Sequence, residues 1–188
     1  MVEHLTKLKA QNGNMSLAYV YCTYRERRDH TATKLIANIV QQLIQDDVTI
    51  PENLISLYRH HVVKQTSPTL SDWSKLLQFE IRRRSKIFIL VDALDERREE
   101  DGTTDEFLHS LKELTPDVYL FVTSRPSSAI EREFENVIHL ELRAHGSDIG
   151  AYVDDCIAKA PRLRDLLATE PMLREGIADT VTSKSKGM

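Results

Sequence analysis

Two short stretches hold residues whose types suit phosphate chemistry. The first is Asp92-Ala93-Leu94-Asp95-Glu96, directly after the apolar run 87–91. Magnesium takes hard oxygen ligands and keeps most of its waters, so Asp92 alone could hold such a hydrated ion. Asp95 and Glu96 follow on the next turn of backbone, where a carboxylate could orient a water for attack on phosphorus. The second stretch is Thr123-Ser124-Arg125-Pro126, after the run 118–122. Neighbouring strands lie roughly 4.8 Å apart, so a guanidinium at one strand end could reach phosphate oxygens held at the next.

Parallel strands would bring the two stretches together, because all their carboxyl ends lie on one edge of the sheet. Apolar and aromatic runs at 17–23, 86–91, 118–122 and 137–142 read as strands. Between them lie helical patterns. Leu35, Ile36, Ile39, Val40, Leu43 and Ile44 form one stripe with Thr31 as its cap, and Pro51 opens a further helix. Another helix after Ser67-Pro68 carries Trp73, Leu76, Leu77, Phe79 and Ile81 into the core. Thr103-x-x-Glu106 and Ser128-x-x-Glu131 read as capping boxes. Strands alternating with helices predict an α/β core with a mostly parallel sheet. From Gly146 the pattern is helical only, which gives a core over 1–145 and a helical appendage over 146–188 whose polar end frays.

The remaining conspicuous residues have plainer readings. Arg25, Arg27 and Arg28 suit a solvated loop, and Arg82-Arg83-Arg84 the carboxyl end of a helix, where cations complement the dipole. His60 and His61 have no partner at metal-ligand spacing and read as surface residues. The two cysteines, Cys22 and Cys156, sit in apolar patterns and read as small core residues.

In 188 residues, 25 Lys and Arg stand against 29 Asp and Glu, giving a net charge of −4. A chain this acidic lacks the basic footprint of a nucleic-acid binder, so no nucleic-acid partner is expected. Its apolar runs fall far short of the roughly 20 residues that cross a bilayer, so no membrane partner is expected either, and the location is read as cytoplasmic.

Residues 87–96 resemble the extended Walker B motif of NACHT-type P-loop ATPases, and residues 120–126 resemble their sensor 1 strand. The stretch from Val2 to about Ile157 is similar to the NACHT module of fungal STAND proteins of the nephrocystin-3-like type. The resemblance implies a three-layer P-loop core with strand order 5-1-4-3-2, and a parent in which ATP or GTP with Mg²⁺ drives self-association and signalling. It implies Asp92 at the Mg²⁺ ion, Asp95 and Glu96 in hydrolysis, and Arg125 at the γ-phosphate with Ser124 beside it.

The pattern G-x-x-x-x-G-K-[ST], whose amides and lysine cradle the phosphates, does not occur, since no glycine is followed directly by lysine. The chain is therefore expected to begin after that loop and to lack the first strand of the sheet. Open sheet edges should make it marginally stable, and it should bind nucleotide poorly. The alternative function is a non-catalytic interaction module in which the acids are structural. A phosphoacceptor receiver domain with Asp92 as acceptor fits poorly, because the acidic pair and the lysine it wants at neighbouring strand ends are absent.

Overall fold

The computed structural model describes residues 1–11, 15–23, 31–96, 103–114, 118–135, 137–142, 145–170 and 172–185, with the backbone alone at 103, 104 and 185. The Arg25–His30 loop, the acidic run after Glu96 and the capping side chain of Thr103 lie outside them. The chain divides into two compact units, Met1–Asn136 and Val137–Met188.

The first unit is an α/β layer structure. Helix α1 (Val2–Gln11) leads into strand β1 (Ser16–Tyr21), and α2 (Ala32–Ile44), α3 (Glu52–Lys64) and α4 (Leu70–Arg82) follow before β2 (Ile87–Asp92). A 3-10 turn (Leu94–Glu96), α5 (Thr103–Lys112), β3 (Tyr119–Val122) and α6 (Ser128–Glu133) complete it. The strands are parallel in the order β1-β2-β3, with Tyr21 opposite Asp92 and Val91 opposite Val122.

Alternation along each strand sends its side chains to two faces with different fates. Ala18, Val20, Cys22, Ile87, Ile89 and Val91 form one face and are buried with Ile36 and Ile39 of α2, Leu77 of α4 and Phe107 and Leu111 of α5. The other face carries Tyr19, Tyr21, Tyr119 and Phe121, all exposed, with Phe88 stacked on Tyr119 at 4.9 Å. Gln42 protects the free edge of β1. Its side-chain amide donates to the Tyr19 carbonyl at 2.7 Å and accepts the Tyr19 N–H at 3.0 Å, as a neighbouring strand would.

Local chemistry sets the helix starts. Thr31 accepts the Lys34 N–H at 3.2 Å and caps α2. A capping box that the sequence reading passed over starts α4: Thr69 accepts the Asp72 N–H, and Asp72 accepts the Thr69 N–H at 2.8 Å. At α6 the expected box at Ser128 is not formed, because Ser128 is already helical and Ser127 is the N-cap, with no side-chain bond.

The Asp72 carboxyl is held below its ordinary value of 3.8, first by the Thr69 hydroxyl hydrogen bond and then by the Thr69 N–H. A carboxyl with a depressed folded-state pKa stabilises the fold above its unfolded value and loses that contribution as pH falls through the folded one. Denaturation midpoints of wild type and Asp72→Asn should therefore differ at neutral pH and converge in acid below the folded-state value. A constant gap across that range would contradict the assignment.

His61 departs from its expected surface position. Its Nδ1 lies 2.7 Å from Thr66 Oγ1 and its Nε2 lies 3.4 Å from Asp72 Oδ2, so the ring is folded into the junction of α3 and α4.

The second unit contains α7 (Gly146–Ala158), α8 (Pro161–Thr169) and α9 (Met172–Ser185). Ile149 and Val153 of α7 are buried, Pro161 opens α8, and Arg174 of α9 clamps Asp154 with bonds of 2.8 and 2.6 Å. Cys156 is exposed rather than in a core, although it stands two turns after Ile149 on the same helical stripe. The end expected to fray is helical as far as Ser185.

The expected strand over 137–142 is not formed, and Ile138, Leu140 and Leu142 are exposed. A strand needs a neighbouring strand whose N–H and C=O groups meet its own in register. Among the described residues nothing pairs with the outer edge of β3.

Candidate functional site

The carboxyl ends of β2 and β3 converge as the parallel sheet requires. At the end of β2, Asp92 is exposed while Leu94 is fully buried two residues on. The intervening Ala93 has φ 54°, a left-handed conformation that alanine adopts only under constraint. The kink turns the chain out of the strand so that Leu94 anchors in the core and Asp95 and Glu96 sit on the rim.

Arg125, from the end of β3, meets those two acids. Its Nε lies 2.8 Å from Asp95 Oδ2, its backbone N–H donates to Asp95 Oδ1 at 2.9 Å, and its Nη2 lies 3.9 Å from Glu96 Oε1. Both oxygens of Asp95 are thus committed to Arg125. The guanidinium itself remains exposed. Ser124, expected to join this group, donates its hydroxyl to the Arg125 carbonyl at 2.7 Å and points at none of the acids.

Asp92 is tied to the same strand end through a residue not assigned from sequence. Thr123 Oγ1 donates to Asp92 Oδ1 and accepts the Ala93 N–H at 2.9 Å. The only signal for it was a hydroxyl residue at the first position after β3.

Among the described residues no three His, Cys, Asp or Glu stand close enough to enclose a metal ion. Asp95 and Glu96 therefore do not share a protein cage with Asp92. The donor set still suits magnesium, whose octahedral shell is completed by water and phosphate oxygens around one or two carboxylates. Beside Asp92 a cavity of about 380 Å³ opens, lined among others by Val2, Glu3, Tyr21, Leu90 and Thr123. The amino-terminal turn of α1 borders the same space as the carboxylate.

Among solved structures, the Orc1 protein of Aeropyrum pernix in complex with DNA shares the fold, with a TM-score of 0.53 and 14% identity over 97% of this chain. The present chain spans 50% of the Orc1 chain. No curated protein matches the sequence. The expectation that nucleic acid is not a partner does not stand beside a DNA complex of this architecture. Net charge is an average over the whole surface and does not decide what one local patch binds. The sequence profile described as "Nephrocystin 3, N-terminal" matches residues 1–125, two thirds of the chain, and the protein belongs to that family.

Proposed function

We propose that this chain is the nucleotide-binding core of a NACHT-type signalling ATPase of the cytoplasm, acting on ATP or GTP with Mg²⁺. The observation that carries the reading is the meeting of Arg125 with Asp95 and Glu96 at one sheet edge, with Asp92 linked to it through Thr123. The order of β1, β2 and β3 supports it, because the order 5-1-4-3-2 makes strands 2, 3 and 4 neighbours in that sequence.

Bound magnesium would supply positive charge to the phosphate oxygens. Asp92 is the residue that would hold the ion. Arg125 places a cation where a terminal phosphate gathers negative charge, and Asp95 fixes the direction of that guanidinium with both its oxygens. Glu96, the other acid on this rim, would accept a proton from an attacking water.

Fluorescent ATP and GTP analogues with Mg²⁺, followed by anisotropy, test the reading on the chain as it stands. Binding should be weaker than about 10 µM, near −7 kcal/mol, and should vanish in Asp92→Asn and in Arg125→Ala. Binding that neither substitution weakens would sink the assignment.

A second reading, nucleic-acid binding, is favoured by the DNA in the Orc1 structure. Titration of a labelled duplex into the chain at low salt checks it, and a salt-independent or undetectable signal counts against it.

A further inference from the structure

We propose that Thr123 is the positioning residue of the metal-binding carboxylate, an inference that rests on the nucleotide reading given above. Thr123 joins the segment leaving β2 through four hydrogen bonds. Its N–H donates to the Val91 carbonyl at 2.9 Å, and its carbonyl accepts the Leu94 N–H at 3.0 Å. Its hydroxyl accepts the Ala93 N–H at 2.9 Å and donates to Asp92 Oδ1.

The direction of each side-chain bond is fixed by chemistry. An amide N–H only donates, so it takes a lone pair of the hydroxyl and leaves the hydroxyl proton for an acceptor. An ionised carboxylate only accepts, and Asp92 Oδ1 receives that proton. Oδ1 is thereby held in direction by one of its two lone pairs, and Oδ2 has no protein partner among the described residues. One oxygen of Asp92 is held, and the other is left for a cation or its waters.

The same hydroxyl holds Ala93 in its left-handed kink, and that kink decides where Asp95 meets Arg125. Thr123 is two residues from Arg125 on the same strand end. A single hydroxyl thus fixes the metal carboxylate of one strand relative to the guanidinium loop of the next. Loss of a partner that orients a metal ligand costs about 10–100-fold in metal affinity.

The test compares Thr123→Val, which keeps shape, strand propensity and both backbone bonds, with Thr123→Ser, which restores the hydroxyl. Mn²⁺ alone is titrated into each full chain, and paramagnetic broadening of the amide signals of Leu94 and residue 123 gives its affinity. Exchange of the Ala93 amide with solvent is read in parallel. Wild type and the serine variant should bind Mn²⁺ equally and protect Ala93. The valine variant should bind about tenfold more weakly and exchange Ala93 faster.

Unchanged Mn²⁺ affinity in the valine variant overturns the proposal even where Ala93 exchanges faster, because the hydroxyl would then hold backbone only. Failure of serine to restore affinity overturns it as well. Should the valine variant not fold, Thr123→Cys, with its weak thiol donor, takes its place with the same outcomes. Asp92→Asn separates the two levels. Broadening absent from wild type at millimolar Mn²⁺, or surviving in Asp92→Asn, removes the metal reading itself, whereas loss in Asp92→Asn with no effect of valine removes only the role of Thr123.

Discussion

Replacing Arg84 by methionine should lower stability by about 1.5–3 kcal/mol, because it leaves a buried carboxylate with only the part-exposed Arg83 as its cation. Glu80 of α4 is 0% exposed, and the Arg84 side chain is 10% exposed. Arg84 Nη1 donates to the Glu80 carboxylate and to the Glu80 carbonyl at 3.2 Å. Its Nη2 donates to the Leu43 carbonyl at 2.7 Å and to both oxygens of Asp47 at 3.0 Å. Arg83 adds bonds of 3.2 Å to both Glu80 oxygens. Two carboxylates and two guanidiniums therefore tie the ends of α2 and α4 behind the sheet.

For a chain of this size the thermal midpoint should fall by roughly 3–12 °C. Urea denaturation of Arg84→Met and of the Glu80→Leu/Arg84→Met double variant checks the cause. The double variant should recover most of the loss, since an apolar pair of similar volume leaves no charge to desolvate. A single-variant loss below about 1 kcal/mol would mean that water reaches Glu80 and that the network is not what holds these helices.

Glu96→Gln should reduce nucleotide turnover by about 10²–10⁴-fold in the protein that carries this core, since an amide cannot take the proton of the attacking water. Asp95→Asn should cost less, about tenfold, because a carboxamide oxygen still accepts one of the two Arg125 bonds while the charge that aims the guanidinium is lost. The geometry behind this division is the commitment of both Asp95 oxygens to Arg125 at 2.8 and 2.9 Å. Phosphate release from ATP with Mg²⁺, compared across the two variants, measures it. Equal losses would show that the two acids share one role, and unchanged turnover in both would favour an interaction module over an enzyme.

Elements whose signal is local were legible from the sequence. The stripe from Leu35 to Ile44, the cap at Thr31, the helix after Pro51 and the runs that became β1, β2 and β3 all follow from side-chain spacing and turn chemistry, which act over a few residues. The meeting of Arg125 with Asp95 and Glu96 was legible because parallel strands place their carboxyl ends on one edge whatever lies between them, whereas Ser124 turns to the Arg125 carbonyl instead.

Where a residue's fate depends on a distant neighbour, only the tertiary structure decided it. Arg82-Arg83-Arg84 reads as the carboxyl end of a helix and lies there, yet only the structure shows Arg84 drawn inward, because Glu80 is buried on the same helix and Asp47 and the Leu43 carbonyl lie opposite it. Residues 137–142 have the composition of a strand and form none, since a ladder needs a partner that composition does not supply. Thr123 looked like an ordinary turn hydroxyl, and only the register of β3 against β2 put its oxygen between Asp92 and Ala93. The chain determined its helices, its strands and the inventory of charges at their ends through short-range forces. Packing chose which of those charges face each other, because desolvation and hydrogen bonding depend on atoms brought together from far apart in the sequence.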